Sequence, residues 1–225
     1  MRGVRAAHAR SCRPLEIGDT ALDTTETAAH RHSDRDDRVE VAVVADGLAR
    51  GGMPVVELTL RTPGALDALA ALSDDDRLIV GAGTVLTPAQ VDLAVAAGAR
   101  FLVSPGLSRA TVERAAEHGV PIIPGTATAT EVMAARELGL STVKFFPAET
   151  SGGAAAVRSL SAVFPGTRFM PTGGIGSATL GSYLAIPSVI AVGGSWMVPR
   201  DRITAGDHDA IRDLASDALQ LATGE

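Results

Sequence analysis

The chain has 225 residues, of which 46% are hydrophobic and only 3% aromatic, and its formal net charge is −6. This length and apolar content predict one large or two small cores, built mainly from aliphatic side chains. The negative charge argues against a nucleic-acid or membrane-surface partner, and no apolar stretch reaches the roughly 18 residues of a membrane span.

The beginning of the chain lacks the pattern of a folded element. Met1–Arg13 is rich in arginine, but no apolar segment follows it, so a secretory signal is not expected and a transit peptide is the weaker interpretation. Cys12 is the only cysteine, which excludes an internal disulfide and favours a cytoplasmic location. We therefore expect residues 1–38 to form a poorly ordered or irregular segment that precedes a folded domain at residues 39–225.

From residue 54 onward, short apolar segments alternate with helical ones. The predicted strands begin 20 to 26 residues apart, at Pro54–Leu60, Leu78–Thr84, Phe101–Pro105, Pro121–Gly125, Thr142–Pro147, Arg168–Gly174 and Val189–Trp196. Helices are predicted at Pro88–Ala99, Ser108–His118, Thr128–Leu138, Gly153–Val163 and Asp207–Leu221. Seven successive units of this kind favour an α/β fold of the (β/α)8 barrel type over an open doubly wound sheet. The first strand is followed by no glycine fingerprint for a dinucleotide, which weakens the open-sheet alternative.

Three of these strands are predicted to carry polar side chains toward the barrel interior. The alternation of a strand puts Glu57 and Arg61 on the face opposite its apolar residues, which must pack against the helices. Thr84 ends the second strand, and Lys144 lies on the fifth. A buried ion pair between Glu57 and Arg61 is the purely structural alternative. The convergence of these polar groups on one mouth of the barrel favours a catalytic site.

Lys144 is the only lysine, against 19 arginines, and it lies in an apolar strand. Because arginine stays protonated while a desolvated lysine can lose its proton and attack a carbonyl, we expect this amine to act as a nucleophile. The alternative is a lysine whose stem covers apolar surface while its head reaches water.

Glycine pairs end the last two predicted strands. Gly173 and Gly174 follow one of them, and Gly193-Gly194 is followed by Ser195. Such pairs expose backbone N–H groups, and the loops after strands seven and eight are the usual phosphate site of such barrels. One pair alone would indicate a tight turn, but two pairs at these positions predict phosphate binding.

Taken together, these motifs resemble the class I 2-keto-3-deoxy-6-phosphogluconate (KDPG) aldolases over roughly residues 39 to 221. The resemblance rests on Val56–Thr62, Val80–Val85, Ser104–Gly106, Lys144–Glu149, Pro171–Ile175 and Gly193–Trp196. It implies a homotrimeric barrel that cleaves KDPG, a keto acid phosphate, to pyruvate and glyceraldehyde 3-phosphate. The same family commonly cleaves 4-hydroxy-2-oxoglutarate (KHG) to pyruvate and glyoxylate.

The resemblance also implies roles for individual residues. Lys144 would form an imine with the ketone, and Glu57 would transfer protons, directly or through a water. Arg61 and Thr84 would bind the carboxylate of the pyruvyl part. The aldehyde and phosphate end of the substrate would lie against Thr172, Gly173, Gly174 and Ser195. No cofactor and no metal are expected, since the imine replaces the zinc of class II aldolases, and His30 and His32 alone do not make a metal site.

The chain departs from the family at its first strand. Val39–Ala49 matches the family's first helix, so an apolar strand should precede it. Thr24–Ser33 occupies that position without apolar alternation, so we expect an atypical or missing first strand and a barrel weakened where it should close. Two alternatives to an active aldolase therefore stay open: another phosphate-binding barrel that does not use Lys144 as a nucleophile, and a non-catalytic relic that binds phosphate or assembles.

Overall fold

The computed structural model describes residues 34–223 and contains one parallel sheet whose strand order follows the chain. The strands are β1 (Val55–Thr59), β2 (Ile79–Gly83), β3 (Phe101–Ser104), β4 (Ile122–Thr126), β5 (Thr142–Phe145) and β6 (Arg168–Pro171). The helices are α1 (Asp34–Arg50), α2 (Ala65–Ser73), α3 (Pro88–Ala96), α4 (Arg109–Glu117), α5 (Ala129–Glu137), α6 (Gly153–Val163), α7 (Ser177–Leu184), α8 (Arg200–Thr204) and α9 (His208–Thr223). The α/β class and the series of parallel βα units are confirmed.

Hydroxyl residues fix where three of the helices begin. Thr87 caps α3 by accepting the N–H of Gln90, whose side-chain oxygen accepts the N–H of Thr87 in return. Thr128 and Glu131 form the same reciprocal pair at the start of α5, and Ser108 caps α4 with one hydrogen bond. A cap of this kind stabilises a helix by about 1 kcal/mol. Each cap turns the chain into a helix just after a strand end, which keeps the loops at that end of the sheet short.

The two faces of β5 have different surroundings, as its alternation predicts. Val143 and Phe145 are completely buried in an apolar cluster that also contains Val132 of α5 and Val157 of α6. Lys144, between them, points to the opposite face of the sheet. The helical layer therefore covers one face, and the polar residues of the strands lie on the other.

Helix α1 lies unusually close to α9, because two glycines one turn apart face it. A Cβ atom added to Gly47 would lie 2.5 Å from Cγ2 of Ile211, and one added to Gly51 would lie 2.5 Å from Cβ of Ala215. Real side chains do not approach so closely, so only glycine permits this contact. The first and last described helices therefore pack directly on each other.

The structure shows only part of the strand pairing that the predicted closed barrel requires. Most of the predicted strand Val189–Trp196 is irregular, with parallel bridges from Val189 to Phe169 and from Gly193 to Thr172. Its glycine pair leaves few side chains to pack, which explains the short pairing. The predicted position of the first strand, Thr24–Ser33, lies outside the described residues, as do residues 1–33 of the predicted N-terminal segment. The last five residues of that segment, 34–38, were predicted to be irregular but form the start of α1. The described part of the chain thus forms a curled six-stranded parallel sheet, and none of its helices is long and apolar enough to cross a membrane.

Candidate active site

Lys144 and Glu57 meet in the interior of the curled sheet. Lys144 is 4% exposed and Glu57 1% exposed, and Nζ of the lysine lies 3.9 Å from Oε1 of the glutamate. In a flat sheet, β1 and β5 would be about 19 Å apart, because neighbouring strands lie about 4.8 Å apart. The short distance therefore requires the sheet to curl so that the inner faces of β1 and β5 approach each other.

A buried pair of this kind is weak evidence for a stabilising role. Removing a carboxylate and an amine from water costs free energy that their mutual attraction often fails to recover. The Nζ–Oε1 distance of 3.9 Å is also longer than a hydrogen bond, so the geometry is not that of an optimised ion pair. Imine formation needs an amine beside a group that can move protons, and a buried amine next to a buried carboxylate has the geometry for it.

Gly83 makes room for the Glu57 carboxylate. A Cβ atom added to Gly83 would overlap Oε1 of Glu57 and lie 2.5 Å from its Cδ. Strand β2 is paired in register with β1, with Gly83 opposite Thr59, so the absence of a side chain on β2 leaves space for one from β1. Gly83 of β2 therefore accommodates the candidate acid–base group of β1.

Phe146 and Thr126 surround Lys144, and neither was among the predicted site residues. Nζ of Lys144 lies 4.8 Å from the centre of the Phe146 ring, within range of a cation–π contact when the amine is protonated. The Thr126 hydroxyl donates a hydrogen bond of 3.2 Å to the backbone oxygen of Lys144. The alternation of the strand, which puts Phe146 on the same face as Lys144, is the signal that could have identified the ring.

Arg61 and Thr84 follow the ends of β1 and β2, at the mouth of the curled sheet. Arg61 is exposed, and its Nε donates a hydrogen bond of 3.3 Å to the buried Thr59 hydroxyl. Thr84 has a φ of +55°, and among the described residues it is the one non-glycine with a positive φ. A β-branched residue rarely adopts this conformation, which costs about 1 to 3 kcal/mol, and such strain is concentrated at functional sites.

The two glycine pairs lie side by side. Thr172 is buried and pairs with Gly193, where an added Cβ would lie 2.5 Å from Oγ1 of Thr172. Gly173 and Gly174 have φ values of +106° and +79°, a left-handed conformation that suits glycine. Consecutive residues of this kind can turn their N–H groups into a concave anion site. Ser195, after the second pair, is exposed.

The loop after β5 connects this glycine region to Lys144. The N–H of Ala148 donates to the carbonyl of Thr172 at 2.8 Å, and the N–H of Glu149 donates to the carbonyl of Gly173 at 3.1 Å. The structure therefore brings Lys144 and Glu57 together inside the sheet. It also brings Thr172 and both glycine pairs together, and the loop after β5 connects the two groups. Among the described residues, no three His, Cys, Asp or Glu side chains are grouped so that they could hold a metal ion, and the His30–His32 pair lies outside that range.

Comparison with characterised proteins identifies the family that the sequence matches. The family model described as "Aldolase: KDPG and KHG aldolase" matches residues 32–214. The KHG/KDPG aldolase of Escherichia coli K12 is 46% identical over 187 residues, which cover 82% of this chain and 88% of the relative. The 2-dehydro-3-deoxy-phosphogluconate aldolase of Treponema pallidum is 48% identical over 187 residues, with 82% and 89% covered.

Two solved structures of KDPG aldolases are also similar to this chain. The KDPG aldolase of Zymomonas mobilis ZM4, crystallised with 3-phosphoglycerate, has a TM-score of 0.77 at 42% identity and covers 80% of this chain and 85% of its own. The KDPG aldolase of Legionella pneumophila, with pyruvate captured as a covalent carbinolamine, has a TM-score of 0.79 at 37% identity, with 91% and 94% covered. The chain therefore belongs to the KDPG and KHG aldolase family.

Proposed function

We propose that this chain is a class I aldolase that cleaves KDPG to pyruvate and glyceraldehyde 3-phosphate through an imine on Lys144. The observation that carries the proposal is the buried Lys144 amine, 3.9 Å from the Glu57 carboxylate inside the sheet. Family membership supports it, as does the carbinolamine that pyruvate forms in the Legionella relative. A phosphate-binding barrel that does not use Lys144 as a nucleophile has no reason to bury a lysine beside a glutamate, and a non-catalytic relic would be under no constraint to keep the pair intact.

The reaction follows from the positions of these two side chains. The Lys144 amine attacks the C2 ketone, and loss of water from the carbinolamine gives a protonated imine. The C4 hydroxyl loses its proton, the C3–C4 bond breaks, and its electron pair moves into the imine to form an enamine while the aldehyde leaves. Protonation at C3 and hydrolysis release pyruvate and the free amine. Glu57 is close enough to Nζ to move these protons, directly or through a water.

The groups at the mouth of the sheet would hold the two ends of the substrate. Arg61 presents a planar guanidinium suited to a carboxylate, and Thr84 adds a hydroxyl at the neighbouring strand end. Thr172 would face the aldehyde carbon, since it lies between β6 and the glycine pairs. Gly173 and Gly174, with the Ser195 hydroxyl, would receive the phosphate.

The phosphate assignment is tested by replacing Gly174 with alanine. Gly174 and Gly139 both have a φ of +79°, so alanine at either position meets a similar backbone strain of about 1 kcal/mol. We expect Gly174→Ala to raise KM for KDPG by about tenfold, because the strained loop no longer presents its N–H groups to the phosphate. Steady-state kinetics of pyruvate release, with KDPG and with KHG, measure the effect.

Gly139→Ala is the matched control, because a Cβ atom there meets no neighbouring atom within 4 Å. This variant therefore meets the backbone strain alone, without the 3.0 Å contact to Glu149 that a Cβ atom at Gly174 would make, and it should keep its KM for KDPG. Equal effects of Gly174→Ala on KDPG and KHG, which lacks a phosphate, would remove the phosphate site from the proposal.

Metal removal gives another test of the mechanism. We expect cleavage of KDPG to continue at an unchanged rate in EDTA, because a protonated imine withdraws electrons without a Lewis acid. The measurement compares kcat before and after prolonged dialysis against the chelator. Loss of activity that zinc restores would contradict imine catalysis.

The finer features of the fold and assembly belong to the same proposal. We propose an eight-stranded barrel in which residues 189–193 follow β6. The catalytic domain would begin with α1 at Asp34, five residues before the predicted boundary at residue 39, and would follow a separate N-terminal segment. A homotrimer is supported by the family resemblance, and a cytoplasmic location by the single cysteine. Sedimentation of the full chain should give three times the mass of one 23.0 kDa protomer.

A further inference from the structure

Tyr183 of α7 connects to the loop after the candidate nucleophile. The side chain is fully buried, and its hydroxyl donates a hydrogen bond of 2.5 Å to Oε1 of Glu149. Burial, followed by the contact with Glu149, raises the pKa of the Tyr183 phenol well above its usual value. The phenol therefore keeps its proton and remains a donor throughout the physiological pH range.

Glu149 lies against the glycine pair to which the phosphate site is assigned. Its N–H donates to the carbonyl of Gly173, and a Cβ atom added to Gly174 would lie 3.0 Å from both Cβ and Cγ of Glu149. Glu149 is itself exposed, so little besides the hydrogen bond to Tyr183 restricts its carboxylate. A carboxylate that turned toward a bound phosphate would repel it, since like charges at short range destabilise each other.

We propose that Tyr183 is a positioning residue for the substrate phosphate: by holding the Glu149 carboxylate toward α7, it keeps this charge away from the Gly173–Gly174 loop and so favours phosphorylated substrates. The inference rests on the proposed function and extends it from the glycine loop to a residue on a separate helix. The phenol suits this task because its buried ring cannot move, so its single donor has a fixed position.

Two single variants and their combination test the inference. Tyr183→Phe removes one oxygen and keeps the ring, so we expect KM for KDPG to rise by about tenfold while kcat and the kinetics with KHG change by less than about twofold. Glu149→Gln keeps a hydrogen-bond acceptor and removes the charge, so it should leave KM for KDPG equal to or below that of the parent. The double variant should recover most of the affinity that Tyr183→Phe loses, because residue 149 then carries no charge that could repel the phosphate.

The outcomes separate this inference from the proposed function. If the parent protein forms no borohydride-stable adduct with pyruvate at Lys144, the aldolase proposal itself fails. If the parent forms the adduct but Tyr183→Phe weakens KDPG and KHG equally, Tyr183 is merely structural and the inference is wrong. A double variant as impaired as Tyr183→Phe would also overturn it. If Tyr183→Phe fails to fold, the kinetics of Glu149→Gln still test the inference. A Glu149→Gln enzyme whose KM is raised for KDPG but not for KHG would show that the Glu149 carboxylate does not repel the phosphate.

Discussion

Replacement of Lys144 by arginine is expected to lower kcat for KDPG cleavage by at least about 10⁴-fold, the scale of loss seen when a covalent nucleophile is removed. Arginine keeps the positive charge but stays protonated and cannot form an imine with the ketone. A loss of this size therefore separates nucleophilic catalysis from a purely electrostatic role. The rate of pyruvate release from KDPG measures it, with circular dichroism to show that the variant is folded.

Reduction with borohydride in the presence of pyruvate examines the same residue directly. The chain contains one lysine, so the amino terminus is the only other amine that can form an adduct. Peptide mass spectrometry should locate the adduct at Lys144 in the parent protein and find none in the arginine variant. An unmodified Lys144 in a folded sample would contradict the mechanism, and activity retained by Lys144→Arg would do so independently.

Substitution of Gly83 by alanine should cause the second large effect. The added Cβ would overlap the Glu57 carboxylate, so the acid–base group must move away from Nζ of Lys144. We expect kcat to fall by about 10² to 10⁴-fold, which is the usual contribution of a positioned proton-transfer group. Glu57→Gln, which removes the charge with almost no change of shape, should produce a loss of similar size.

Gly181→Ala is the matched control for this experiment. Gly181 lies in α7, is exposed, and a Cβ atom there meets nothing within 4 Å. The change should leave kcat intact and stabilise the helix by about 0.5 to 1 kcal/mol. Thermal unfolding and kcat, measured for both alanine variants, distinguish displacement of Glu57 from general damage. A Gly83→Ala enzyme with normal kcat would show that Glu57 does not transfer the protons.

The parts of the fold that depend on local pattern could be predicted from the sequence. β5 alternates between apolar residues and Lys144, and α3 begins at Pro88 as its apolar spacing predicted, so these elements were predicted to within a few residues. Strands ended sooner than predicted where proline or glycine interrupts the ladder: β5 ends at Phe145, before Pro147, and β6 ends at Pro171, before the glycine pair.

The contacts between distant segments could not be predicted in the same way. That Glu57 and Lys144 should meet follows from the barrel architecture, but their distance depends on how strongly the sheet curls, which no local pattern encodes. The hydrogen bond between Tyr183 and Glu149 joins residues 34 positions apart, and neither residue breaks a periodic pattern in its own segment. Such pairs are fixed by tertiary packing, so a single sequence gives no sign of them.

The close contact between α1 and α9 constrains the order in which the chain can fold. Helix α1 is synthesised long before Ile211 and Ala215, which fill the space beside Gly47 and Gly51. The βα units between them form mostly neighbouring contacts and can assemble during synthesis. The face of α1 that contains Gly47 must instead wait until α9 has been made. A chain that stalls before α9 would therefore leave the ribosome with the face of α1 around Gly47 and Gly51 exposed, even where α1 already packs on α2.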